Sequence, residues 1–310
     1  MHPAFSVIFF TTLTGAGYGL LGLLGAGVVF RFVPDHAGFG MYGVVTALVL
    51  ISSGLLFSTF HLGRPERAWR AFSQWRSSWL SREGVFAILT FFPLMLFAYE
   101  WVVMERQGLI QNIAGIVTTV FCLATVFTTA MIYASLKTIA AWNNQWVAPV
   151  YISFALMSGA TICVALLAWS GHYQVWTTGF ACMAIIGAGL LKIKYWSHID
   201  NTPLTGSTES ATGLGRFGKV QLLQSPHTQQ NYLMQEMGYE VARRHSAKLR
   251  RLVVNLGFIT PLVLLALSFT EIPVLRLASV TIAVTVMLFG ILIERWLFFA
   301  EAKHTVMLYY

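Results

Sequence analysis

An imidazole and a carboxylate bracket one short connection early in this sequence. His61 closes an apolar run that ends Ser58-Thr59-Phe60, and Glu83 sits in Ser81-Arg82-Glu83-Gly84, where the next apolar run begins. Consecutive runs joined by one loop place both groups at the same depth on the same side. Histidine titrates near neutrality, and partial burial raises a glutamate toward it. Such a pair beside an apolar cleft supplies what quinone chemistry needs, a hydrogen-bond partner for a carbonyl and a carboxyl that relays protons. The plainer reading makes His61 a helix end and Glu83 a partner of a helix N-terminal dipole. A second charged group, Glu294-Arg295, is embedded in apolar sequence and followed by Phe298, Phe299, Glu301, Lys303 and His304. Charges within such a run are costly and point to function by default. This pair could bind each other or loop residues, snorkel to the surface, or contact the same quinone.

The elements that position these groups are read from hydropathy. Of the 310 residues, 56% are hydrophobic and 10% charged, against about 25% charged in soluble domains. A helix needs roughly 20 apolar residues to cross a bilayer, and lipid tolerates only backbone that satisfies itself. Spans are expected near 5–30, 41–60, 84–104, 112–135, 149–168, 175–192, 252–270 and 274–299. The fold class is therefore all-α, an eight-helix integral membrane bundle forming one domain over residues 1–310. The first run is too long for the apolar core of a secretory signal and is read as a retained span. Its glycines, Gly15, Gly17, Gly19, Gly22, Gly25 and Gly27, suit close helix packing.

The connections on the N-terminal side are basic. Arg64, Arg67, Arg70, Arg76 and Arg82 lie in the 61–83 loop, Lys137 in 136–148, and Lys194, Arg216, Lys219, Arg243, Arg244, Lys248, Arg250 and Arg251 in 193–251. Lysine and arginine mark the cytoplasmic face, so both termini are expected in the cytoplasm of a bacterial inner membrane. Within 61–83, Pro65 can open a helix. Trp69, Phe72, Trp75 and Trp79 then alternate with Arg67, Arg70 and Gln74 as in an interfacial amphipathic helix. An electron-carrying partner should dock on this face, because tunnelling weakens steeply with distance. The long 193–251 loop, rich in aromatic residues and methionine, is expected to be a docking loop.

Several other functions are excluded or disfavoured. Gly213-Leu-Gly-Arg-Phe-Gly-Lys219-Val220 imitates a phosphate loop, but Val220 lacks the hydroxyl that would hold magnesium and no strand precedes it. Basic residues flanking membrane spans do not indicate nucleic acid. Cys122, Cys163 and Cys182 lie within spans and are too few for a four-cysteine iron–sulfur cluster. The eight histidines fall in loops or at span ends, so no haem is expected either. A transporter would show repeated halves and broken helices, of which Asn255 and Pro261 are the only hints.

His61-Leu62-Gly63-Arg64-Pro65-Glu66-Arg67-Ala68-Trp69, followed by Ser81 and Glu83, resembles the membrane anchors of dimethyl sulfoxide reductase-type molybdoenzymes. The tail carrying Arg295, Phe298 and Phe299 is similar to that family's last span. The resemblance implies a complex in which a molybdopterin chain performs catalysis and an iron–sulfur chain carries electrons. The anchor then exchanges them with ubiquinone or menaquinone. It implies quinone roles for His61 and Glu83, with Arg64, Arg67 and Arg295 as further contacts, Arg64 falling at a variable position of the motif. The opening MHPAFSVIFFTTLTGAGYGL and the stretch SPHTQQNYLMQEMGYEVARRHSAKLRRL look like the branch of the cytoplasmic sulfite-oxidising enzyme. That branch implies electron flow from sulfite to quinone. The alternative within the family is an anchor that oxidises quinol for a reductase.

Overall fold

The computed structural model describes residues 5–60, 64–202, 206–221, 223 and 245–305. Among them, eight helices are long and apolar enough to cross a membrane. They are α1 (Phe5–Val29), α2 (Ala37–Thr59), α3 (Trp79–Val103), α4 (Leu109–Ala134), α5 (Val147–Trp169), α6 (Val175–Asn201), α8 (Ser246–Leu267) and α9 (Pro273–Ala300). A short helix, α7 (Thr208–Thr212), precedes the glycine-rich segment, and a 3₁₀ helix (Pro65–Gln74) joins α2 to α3. Helices α1 and α5 are buried along most of their length, whereas the other six turn more than half of theirs outward. The bundle is thus built around α1, with α2, α4, α5 and part of α9 against it, and α6 on the far side of α5.

Small residues set how closely these helices approach. A Cβ at Gly19 would collide with the Ala155 backbone, and one at Gly159 with the backbone of Gly19. The α1–α5 crossing is therefore backbone on backbone, a contact only glycine permits. The first-span glycines do not all act alike, since a Cβ at Gly15 would meet nothing within 4 Å. Two spans contain wider π-type turns, Tyr99–Val103 at the end of α3 after Pro93 and Val254–Ile259 within α8 before Pro261. The second accounts for the Asn255 and Pro261 signal, as proline removes one amide bond from the ladder and the helix re-spaces around it.

Some span limits differ from expectation. The sixth span runs to Asn201 rather than 192, because Lys192 is paired inside the bundle and does not mark its edge. The seventh starts at Ser246 rather than 252, since the basic stretch Lys248–Arg251 is already helical. The third starts at Trp79, capped by the Ser78 hydroxyl, so Glu83 lies inside the helix and past its first turn. The Gly213–Val220 segment is largely exposed, with Gly213 closing α7 in the left-handed region at φ 68°. Part of the 193–251 stretch expected to dock a partner, residues 203–205, 222 and 224–244, lies outside the described residues, as do His61, Leu62 and Gly63.

The connection 135–146 folds back over the end of α9. Trp142 Nε1 donates to the Phe298 carbonyl (3.0 Å), Tyr195 donates to the Ala141 carbonyl (3.0 Å), and Thr305 N donates to the Thr138 carbonyl (3.0 Å). Tyr133, Trp142, Tyr151, Phe298 and Phe299 pack there as one aromatic cluster. It seals the basic face of the bundle beside the charged residues of α9.

Candidate functional site

The connection between α2 and α3 forms the roof of a cleft of about 470 Å³. Its walls come from α1 (Val7, Phe10), α2 (Leu55, Ser58), α3 (Leu80, Glu83, Gly84, Ala87, Ile88, Phe91) and α4 (Ile132, Tyr133). Ala68, Ala71 and Phe72 of the 3₁₀ helix close it from above. Leu80 and Ile88 are exposed on the outer surface of α3, so the cleft has its mouth on the apolar flank of the bundle. The roof is held by specific contacts. Ser81 Oγ donates to the Ala71 carbonyl, and Arg82 donates to the carbonyls of Trp75 (3.0 Å) and Arg76 (2.7 Å). Gly84 leaves room for the Phe72 ring, which a Cβ would approach to 2.8 Å.

Among the described residues, Glu83 is the one carboxylate lining this cleft, and it is 7% exposed. Thr129 Oγ1 donates to its Oε1 and also lies 3.0 Å from the Thr125 carbonyl. That geometry serves both protonation states. An ionised Glu83 accepts the hydroxyl proton; a neutral one donates to Thr129, whose own proton then turns to Thr125. The carboxyl can therefore gain and lose a proton without stranding a buried polar group.

The other expected site residues fall elsewhere. Arg64 precedes the 3₁₀ helix and Arg67 lies in it, 3.9 Å from Glu66; both are exposed and neither lines the cleft. A 3₁₀ helix repeats every three residues, which puts Arg64, Arg67 and Arg70 on an outer stripe and Ala68 and Ala71 on the cleft stripe. His61 lies outside the described residues, in the few positions between Phe60 at the end of α2 and Arg64.

Arg295 is buried in α9 and faces a second, smaller space. Its guanidinium lies 3.8 Å from the centre of the Tyr151 ring and 3.3 Å from Glu294 Oε2. Glu294 also pairs with Lys192 of α6, and all three side chains are at most 2% exposed. Two basic side chains thus share one carboxylate in the apolar interior. On the other side, Arg295 lines a chamber with about 20 Å³ of room for a water centre, walled by Thr12, Thr14, Tyr18, Thr129, Tyr151 and Ser158 among others. Thr12 Oγ1 and Tyr18 OH are buried there with no hydrogen-bond partner among the described residues. Thr129 belongs to this chamber as well as to Glu83, so one hydroxyl links the two spaces.

Toward the basic surface, a polar vestibule of about 430 Å³ opens beside the cluster, lined by Asp200, Arg250, Glu301 and Lys303. Arg250 holds both oxygens of Asp200 (2.6 and 2.9 Å) and donates through Nε to Glu301 (2.7 Å). Burial pushes the Glu301 carboxyl above its usual range, while the charge of Arg250 pulls it down. Lys192, Thr129 and the chamber hydroxyls carried no local sequence signal. They are single polar residues in apolar helices, and only the packing of distant helices brings them together.

The cleft has the make-up of a small-ligand pocket. It is within the usual range of ligand pockets, about 300–1,000 Å³, and is mostly apolar, with the Glu83 carboxyl beside Ser58 and Tyr133 as its polar lining. A family model described as DMSO reductase anchor subunit (DmsC) matches residues 1–300. Among curated proteins, a sulfite dehydrogenase subunit of Allochromatium vinosum is 34% identical over 331 aligned positions, covering 100% of this chain and 99% of the relative.

Proposed function

This chain belongs to the DMSO reductase anchor subunit (DmsC) family, and on that premise we propose that it is the quinone-exchanging anchor of a sulfite-oxidising molybdoenzyme complex. The observation that carries the reading is Glu83, a buried carboxyl with two satisfied protonation states, lining an apolar cleft that opens sideways from the bundle. A quinone bound there would take up two electrons and two protons. Glu83 would hold one of those protons at its carboxyl and exchange it through Thr129 Oγ1. Phe10, Phe72, Phe91 and Tyr133 would exclude water from the ring, and the 3₁₀ roof would keep it beneath the basic face. His61 is proposed as the second hydrogen-bonding group from its place in the motif, and Arg64 and Arg67 as surface charges for the adjoining chain.

The electrons would come from an iron–sulfur partner docked on the basic face, itself reduced by a molybdopterin partner at which sulfite is oxidised. The full-length similarity to a sulfite dehydrogenase subunit supports that choice. The excess of lysine and arginine on this face supports a cytoplasmic placement in a bacterial inner membrane, with both termini inside.

The test uses the purified complex. Glu83→Gln should lower sulfite-to-quinone turnover at least a hundredfold while sulfite oxidation coupled to a soluble dye persists. Unchanged quinone-linked turnover overturns the site. The family description favours a second reading, a reductase anchor that oxidises quinol. Labelling that places residues 64–76 on the outer side of the membrane would select it.

A further inference from the structure

We propose that the buried Lys192–Glu294–Arg295 cluster and the adjoining hydroxyl chamber form a proton route from the vestibule at Glu301 to Glu83. The inference rests on the quinone reading above and deepens it. Reducing a quinone consumes two protons for every two electrons delivered by the iron–sulfur partner, and those protons must come from water. The cleft cannot supply them from its mouth, which faces the apolar flank at Leu80 and Ile88.

The polar groups are ordered between the two ends. Glu301 meets the vestibule at the end of α9, about two helical turns beyond Glu294 on the same helix. Lys192 is paired to Glu294. Glu294 is also paired to Arg295, whose guanidinium lies over the Tyr151 ring, and both Arg295 and Tyr151 line the chamber. In the chamber, the orphaned hydroxyls of Thr12 and Tyr18 flank a space of water size. Buried polar groups without protein partners are met by ordered water where there is room for one. Thr129 then connects that space to Glu83.

The charge count gives the cluster a carrier. Arg295 stays cationic and balances Glu294, so with Lys192 as a neutral amine the cluster has no net charge. A proton arriving from Glu301 makes Lys192 an ammonium and leaves the cluster one charge positive. Passing that proton through Tyr151 and the chamber water to Glu83 restores the starting state. No atom or electron is left over: one proton enters from water and one reaches the carboxyl. Quinol oxidation would run the same path backward.

Two perturbations test it in the intact complex. Lys192→Met keeps the bulk and removes the carrier; Thr12→Val with Tyr18→Phe keeps the shape and removes the chamber hydroxyls. Quinone-linked turnover should fall at least tenfold in each, with quinone affinity by titration within twofold of the unaltered complex. A small permeant weak acid should recover part of the loss. Without quinone, deuterium should reach the Glu83 carboxyl, read as the infrared band that Glu83→Gln deletes, at least tenfold more slowly in each. If both perturbed complexes turn over and exchange at the original rates while Glu83→Gln is inactive, the route is wrong and the quinone site stands. If Glu83→Gln remains active, the site itself fails.

Discussion

Replacing Glu294 tests the charge arithmetic at the centre of the bundle. Its side chain is 0% exposed and faces Lys192 and Arg295, themselves 1% and 2% exposed. Glu294→Gln keeps the shape but leaves Arg295 with no opposing carboxylate in the apolar interior, and Lys192 must shed its proton or add to the imbalance. Breaking a buried pair by removing one partner costs about 3–5 kcal/mol. Lys192→Met is the contrasting change, because Arg295 and Glu294 remain as a balanced pair. It forfeits the contact of Lys192 with the Tyr195 ring, 4.1 Å away, a contribution of about 2 kcal/mol for a desolvated ammonium. The two substitutions should therefore differ by about 1–3 kcal/mol, or roughly five- to a hundred-and-fiftyfold in the unfolding constant. Reversible unfolding in mixed micelles, followed by tryptophan fluorescence, measures both. Equal destabilisation, or a larger effect of Lys192→Met, would refute the view that one carboxylate serves two basic side chains.

Three other changes probe different parts of the molecule. Gly19→Val should destabilise the bundle by more than about 3 kcal/mol and abolish its purification as a folded chain, because the side chain would force α1 from α5. Gly84→Val should push the Phe72 ring aside and lift the 3₁₀ roof, weakening quinone binding about tenfold in an equilibrium titration while the helix content by circular dichroism is retained. For Glu301, burial raises the carboxyl, so between the unfolded and folded pKa values the folded protein holds a proton that the unfolded chain has lost. Its contribution to stability is present below that window and is lost as pH rises through it, against the groups facing it, Arg250, Lys192 and Asp200. Thermal midpoints should fall over that interval, and Glu301→Gln should flatten the fall.

The membrane architecture was legible because run length and hydropathy alone dictate which segments can cross lipid, and all eight expected spans overlap the helices. Their limits were harder to read where a charge is paired internally. Lys192 looks like the end of the sixth span until its partner on α9 is known, and nothing near it in the chain names that partner. Glu83 stood out because a carboxylate at the start of an apolar run is rare. Thr129 did not, since it is one of several threonines on α4 that bond back to their own helix. Arg67 was legible as part of the polar face, but that the segment winds as a 3₁₀ helix with Ala68 and Ala71 over the cleft is a distinction that Pro65 and the surrounding residues do not announce. The chamber beside Arg295 was illegible in principle, because it is the space left where α1, α4, α5 and α9 meet.

The sideways mouth of the cleft at Leu80 and Ile88 has a kinetic corollary. A long-tailed substrate would arrive by diffusing in the plane of the bilayer rather than from solution. Saturation would then follow its mole fraction in lipid, so that adding vesicles at constant total substrate should slow the complex by dilution alone.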